Sequence, residues 1–326
     1  MTVRRRVRIF LALLALGSPA WKGTAAVSNE TKEASALSRV VAQIDQGTSP
    51  STQDIVAAKS SPSAIATVVG GMDQRSPRAR EVALGVLADL GAPLVVLEKG
   101  WSPEPSPVVE DPVVVRELVA RLRDAERDVR TRACSILVER VTDGLVADHS
   151  AQILAALEKQ PATDEAAKLL GKTGTASAMR LLRTVPALRD AAPEETRSAL
   201  ARLGDREAES ALVEAFLHQE DPRARSRLAH ALGYVKTVRA VLTLARELRT
   251  PQVYAWNQTA RCSMRVHVIE GLHRAFPSER IFWPPALGPS GDAYYEAVET
   301  WVTKYLGVTW STPRPPYLYM EDAPGK

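Results

Sequence analysis

The sequence predicts an all-α chain, an α-solenoid of about six short helix pairs that ends in a capping helix and a proline-rich tail. Three observations predict it. Apolar residues recur at i, i+3, i+4 and i+7 along most of the chain, and no run of alternating β-branched residues competes with them. The phrase that carries this spacing repeats at intervals close to those of helical-pair repeats. Each copy has one apolar stripe per helix and cannot bury both stripes alone, so it needs neighbours of its own kind.

The clearest copy is residues 220–250, EDPRARSRLAHALGYVKTVRAVLTLARELRT. Asp221 is a helix cap, and Pro222 suits the first helical position, where a missing N–H costs nothing. Leu228, Ala231, Leu232 and Val235 then form one face. Gly233 and the pair Lys236-Thr237 loosen the helix end, and Val238, Val241, Leu242 and Ala245 form the face of a second helix. The same pattern follows Arg80 (Ala83, Val86, Leu87), Arg130 (Ala133, Ile136, Leu137) and Thr163 (Ala166, Leu169, Leu170). It follows Thr196 (Ala199, Leu203) and Arg265 (Val268, Leu272) less completely. The six anchors are 50, 33, 33, 29 and 40 residues apart.

The phrases SPRAREVALGVL, RDVRTRACSIL and DPRARSRLAHALG resemble HEAT repeats, in particular the short bacterial kind related to phycobilisome-lyase HEAT-like repeats. The resemblance covers roughly residues 50–275. It implies a right-handed superhelix of helix pairs, used as a binding scaffold, with the second helices lining the concave side. It implies no one activity, because function sits on surfaces grafted onto such a fold. In that family a charged residue at the position of Arg80, Arg130, Arg225 and Arg265 ties adjacent repeats together. An anion-binding strip is the competing reading of the same row.

Residues 1–26 have the form of an export signal. Arg4, Arg5, Arg6 and Arg8 make a basic start, Ile9 to Leu16 is an unbroken apolar run, and Thr24-Ala25-Ala26 offers small residues for cleavage. The apolar run is too short to span a bilayer. The expected mature chain therefore starts near Val27, has no transmembrane span, and resides in the periplasm or outside the cell. Five of the 42 basic residues, and none of the 38 acidic ones, lie in this segment. The remainder has 37 against 38, so whole-chain charge gives no support for nucleic-acid binding.

Residues 27–50 read as a flexible lead-in with a weak helix near Ala34–Ile44. The repeats occupy 51–277, with Pro103 to Pro112 as a loop between two of them. Residues 278–310 form a capping segment whose helix turns Tyr294, Ala297, Val298, Trp301 and Tyr305 inward. The tail, 311–326, is too rich in proline for a helix; Tyr317, Leu318 and Tyr319 drape over the last pair, or the tail is disordered.

Few residues look like chemistry. Gly171-Lys172-Thr173 resembles the end of a phosphate-binding loop, but Ala166 stands where that motif needs a glycine and no strand precedes it, so Gly171 reads as a helix terminator. His267, Glu270 and His273 share one helix at i+3 spacings. A carboxylate-bridged metal site needs a second such pair from another helix, and the sequence offers none, so no metal and no cofactor are expected. Cys134 and Cys262 sit several repeats apart and read as two buried thiols. No nucleophile with a base and an orienting acid can be nominated, and no catalysis is expected.

The expected function is that of an exported, non-catalytic scaffold for a protein or peptide with an acidic segment. Its partner-binding residues would be Arg116, Arg180, Arg183, Arg239 and Arg246 on second helices, with Tyr254 and Trp256 in an extended loop between Thr250 and Arg261, either as aromatic anchors or with Trp256 folded back over the last repeat as a lid on the core. One alternative is an enzyme or cofactor-handling protein like the HEAT-like lyases, which needs a cleft with convergent polar groups. The other is a binder of nucleic acid or an anionic polymer, which needs an uninterrupted positive groove.

Overall fold

The computed structural model describes residues 20–92, 108–159, 164–186, 188, 193–255, 260–277, 279–282, 291–313 and 320–322. The apolar run of the export signal, Thr163, Trp256 and Tyr317 to Tyr319 lie outside the described residues. The chain is built of helices and divides into two compact units, residues 1–90 and 91–326, so the predicted run 51–277 is divided after Leu90. Among the described residues, no helix is long and apolar enough to cross a membrane.

In the first unit, helix α1 spans Ala20–Asp45, α2 Thr52–Lys59, α3 Ala64–Gly70 and α4 Pro77–Leu90. The helix expected near Ala34–Ile44 is present, and it extends from Ala20 to Asp45, so most of the expected flexible lead-in is helical. Ala36, Leu37, Val40 and Ile44 recur at helical spacing and are buried, which fixes this end of the helix although its composition is polar. Helix α1 packs on α2 and α4, and α3 packs on α4. Ser51 accepts a hydrogen bond from the amide of Asp54 and so caps α2. The Arg75 guanidinium joins the unit internally, to Asp45 at 2.8 Å and to the Val68 carbonyl at 2.5 Å.

In the second unit, α5 (Pro112–Arg121) begins as its sequence dictates. The Asp111 carboxylate accepts from the amides of Val113 and Val114, and proline sits in the first turn. Then come α6 (Arg127–Arg140), α7 (Asp143–Asp148), α8 (Ser150–Leu157), α9 (Asp164–Lys172), α10 (Ala176–Thr184), α11 (Pro193–Arg202), α12 (Arg206–His218), α13 (Pro222–Val235) and α14 (Val238–Arg246). After α15 (Met264–Ala275) and α16 (Gly291–Leu306) the chain reaches its tail.

Helices α6, α9, α11, α13 and α15 form a row in which each packs on the next. Between them, α10 touches α9 and α11, α12 touches α11, α13 and α14, and α14 touches α13, α15 and α16. Every anchor of the repeated phrase in this unit lies on, or immediately before, a helix of the row. Ala133, Ile136, Leu137, Ala166, Leu169, Leu170, Ala199, Leu232, Val268 and Leu272 are buried, as their spacing requires.

Four local expectations are corrected. Gly171 lies within α9, which runs to Lys172 and is followed by Gly174 with a φ of +69°, and Gly233 lies inside α13, where Lys236 in the left-handed conformation ends the helix. Both glycines are contact points: a Cβ on Gly171 would lie 2.9 Å from the Cα of Ala199, and one on Gly233 would lie 2.1 Å from the carbonyl oxygen of Gly271. The buried face of α14 is Val241, Leu244, Ala245 and, just beyond it, Leu248, while Val238 is 76% exposed. That choice follows from Thr237, whose side chain caps α14 and leaves its first residue at the rim. On α16 the inward residues are Tyr295, Val298, Glu299 and Val302, with Tyr305 exposed. Arg249 and Arg265 together draw Glu299 inside: Arg249 makes a forked pair with its carboxylate at 2.9 and 3.2 Å, and the Arg265 guanidinium lies 3.8 Å from it and over the Tyr295 ring.

The expected extended loop is a hairpin. Strand β1 (Val253–Ala255) pairs antiparallel with β2 (Ala260–Ser263), with Tyr254 opposite Cys262. The tail adds β3 (Met320–Asp322) to the other edge of β2, with Cys262 opposite Met320. A part of the proline-rich tail is therefore ordered by backbone pairing, which proline spacing alone does not reveal.

Candidate functional site

The repeated arginine position has a structural use throughout. Arg80 donates to the carbonyl of Arg75, and Arg130 to the carbonyls of Asp124 and Ala125. Arg225 meets Glu247 at 2.7 Å and Gln252 at 3.1 Å, over the face of Phe216. Arg265 is 1% exposed and donates to the carbonyl of Leu248. Each of these four cations is bonded to the segment beside its own helix, which favours the structural reading of the row over an anion-binding strip.

The five nominated arginines of the second helices are all exposed. Arg180 and Arg183 share α10, and Arg239 and Arg246 share α14. Helix α12 lies between them. Arg183 pairs with Asp205, the α12 cap, at 2.6 Å, and Arg239 donates to the hydroxyl of Ser210 on α12 at 2.7 Å. The structure thus links Arg183 and Arg239, and with them the helices that carry Arg180 and Arg246, to α12, which itself carries exposed Glu207 and Glu214. Arg116, on α5, is not linked to them. Tyr254 lies in β1; its side chain and the whole of Trp256 lie outside the described residues.

A second cluster ties the C-terminal ends of the row helices together. Asp143, at the start of α7, receives Arg202 at 2.6 Å, Lys236 at 3.0 Å and Lys172 at 3.8 Å. Lys172 also donates to the carbonyls of Leu137, Val138 and Val141 where α6 ends, and Arg202 donates to the carbonyl of Tyr234 in α13. Last-turn carbonyls lack partners within their own helix and carry the negative end of its dipole, so cations settle there. Burial of the Lys172 ammonium pulls its pKa down to about 8, against the pull of Asp143. For Asp143, burial works against the charge, and the attraction of Arg202 and Lys236 outweighs it, leaving the carboxyl below its ordinary range. Lys172 is thus committed to protein carbonyls and to Asp143, and its preceding glycine serves helix contact.

The third cluster is the one the sequence missed. Gly233 and Gly271 let the backbones of α13 and α15 touch, and the same crossing brings His230 of α13 beside His267 and Glu270 of α15. Nε2 of His230 and Nδ1 of His267 each lie 2.8 Å from the same Glu270 oxygen, Oε2. The two rings are 5.6 Å apart and inclined at 61°. His267 is buried, whereas the side chains of His230 and Glu270 are 33% and 45% exposed. Partial burial opposes the Glu270 charge, but the two imidazole hydrogen bonds overcome it and hold the pKa down to about 2. His273, nominated with Glu270 from their spacing, is not part of this group. The signal was present in the repeat register: His230 and Glu270 each stand five residues after their anchors, Arg225 and Arg265, and equivalent positions on adjacent row helices become neighbours.

In the first unit, a shallow cleft of about 420 Å³ is lined by Val41, Asp45, Thr67, Gly71, Gln74, Arg75 and Ser76. Its two charged residues, Asp45 and Arg75, are bonded to each other. Cys134 is buried, and the Cys262 side chain lies outside the described residues. No family model matches this chain, and no curated protein matches it.

Proposed function

We propose that this chain is an exported, non-catalytic α-solenoid of HEAT-like helix pairs that binds a protein or peptide partner through acidic segments. What supports the solenoid is the row α6, α9, α11, α13, α15, in which each repeated phrase packs against the next and α10, α12 and α14 alternate beside it. What carries the binding reading is the pair of exposed arginine patches, Arg180 with Arg183 and Arg239 with Arg246, set on either side of α12. Exposed guanidiniums on fixed helices recognise carboxylates through forked hydrogen bonds at little cost in reorganisation. The cations at the other end of the row, around Asp143, are held inside the protein and serve stability. The basic start, the apolar run and the small residues Thr24-Ala25-Ala26 support the reading of a mature chain in the periplasm or outside the cell. Tyr254 and Trp256 belong to the reading as aromatic anchors at the hairpin.

The test is charge reversal. Arg180→Glu with Arg246→Glu changes two exposed side chains outside the pairs that hold α12. The mature variant should keep its melting temperature and bind the acidic partner at least tenfold more weakly. Unchanged affinity in the folded double variant would exclude this face.

A further inference from the structure

We propose that His230, His267 and Glu270 form a binding site for one divalent transition-metal ion of the zinc class, clamping α13 to α15. The inference goes beyond the scaffold reading and does not depend on it. The three donor atoms, Nε2 of His230, Nδ1 of His267 and Oε2 of Glu270, all lie within 4.8 Å of one another. Two imidazoles and a carboxylate are a donor set that suits zinc, cobalt and nickel. With metal–ligand bonds of about 2.0–2.1 Å, a tetrahedral ion needs its ligands about 3.3 Å apart. The two nitrogen–oxygen separations are now 2.8 Å, so each opens by about half an ångström to admit the ion, while the two ring nitrogens, within 4.8 Å of each other, settle to the same spacing, shifts made by side-chain rotation.

The site is built rather than casual. The backbone contact at Gly233 and Gly271 fixes the helices that carry the ligands. His267 is 5% exposed and so held in place by packing, while the partly exposed His230 and Glu270 leave a path for a hydrated ion. The rings are inclined, not stacked, so their nitrogens converge on one carboxylate oxygen. Three protein ligands leave a fourth position for water on the solvent side.

The experiment uses the mature chain without a histidine tag, stripped with a chelator and titrated with Co²⁺ and Zn²⁺. Calorimetry should show one equivalent bound, and Co²⁺ should give visible bands of a nitrogen–oxygen site and shift the proton resonances of two histidines. Zn²⁺ should raise the melting temperature. His230→Gln and Glu270→Gln should each weaken binding at least about tenfold, and His273→Gln should not. The wild-type spectra stand even if a variant fails to fold. No saturable binding by the wild type would overturn the proposal. So would unchanged binding by folded His230→Gln and Glu270→Gln, or loss of binding in His273→Gln.

Discussion

Replacing Gly233 with alanine sets two known effects against each other, and the structure decides between them. Within an exposed helix the change would stabilise, since alanine is favoured over glycine by about 1 kcal/mol. Here the added Cβ falls 2.1 Å from the carbonyl oxygen of Gly271 and 2.7 Å from its Cα and carbonyl carbon. These are backbone atoms and cannot swing aside. To restore ordinary contact, α13 and α15 must part by roughly 1 Å, and the interface loses dispersion contacts along its length. Overpacking of this kind costs about 1–3 kcal/mol, with the upper end apt where backbone must move. The net loss should be about 1–2 kcal/mol, or roughly 2–8 °C in Tm for a unit of this size. Gly144→Ala is the control: Gly144 is also helical, and nothing lies within 4 Å of its added Cβ. Urea unfolding followed by circular dichroism should show Gly144→Ala neutral or stabilised and Gly233→Ala destabilised. If both variants gained stability alike, the close crossing of α13 and α15 would be wrong.

Three further outcomes are expected. Leu232→Ala, at a site with no exposure, should cost about 2–5 kcal/mol by denaturant unfolding. Lys172 has a folded pKa of about 8 against 10.5 unfolded, so the unfolded chain binds its proton more tightly, and stability should rise as pH climbs from about 8 towards 10. Urea midpoints at the two ends of that window should show the rise in wild type and lose it in Lys172→Met; an equal rise in both would assign it elsewhere. Tyr254→Ala with Trp256→Ala should leave Tm unchanged and weaken partner binding, whereas a fall in Tm for each single change would make the aromatic pair a lid on the core.

The helices were legible because their signals are local. Asp111-Pro112 and Asp221-Pro222 announce helix starts, and the buried sets that follow Arg130 and Arg225 obey the helical period. The faces of α14 and α16 were misjudged because several apolar stripes fit one short helix, and tertiary partners choose among them. Arg249 and Arg265 choose for α16 by drawing in Glu299. Gly171 and Gly233 look like helix breakers in one dimension, since only the neighbouring helix reveals that close approach is their use. The strands escaped notice because each has only three or four residues, and β3 joins β2 from nearly 60 residues away. The His230 cluster escaped because its members come from two helices. The repeat register carries it, since His230 and Glu270 both stand at the fifth position after an anchor.

Exposed arginines on α10 and α14 are proposed to hold an acidic partner. The most direct measurement is the affinity of the mature chain for the partner captured from its own envelope extract, taken from about 0.05 to 0.5 M salt, where the screening length falls several-fold. Wild type should bind more weakly as salt rises, and Arg180→Glu with Arg246→Glu should bind weakly throughout with an unaltered melting temperature. Affinity indifferent to salt and equal in the two proteins would contradict the account.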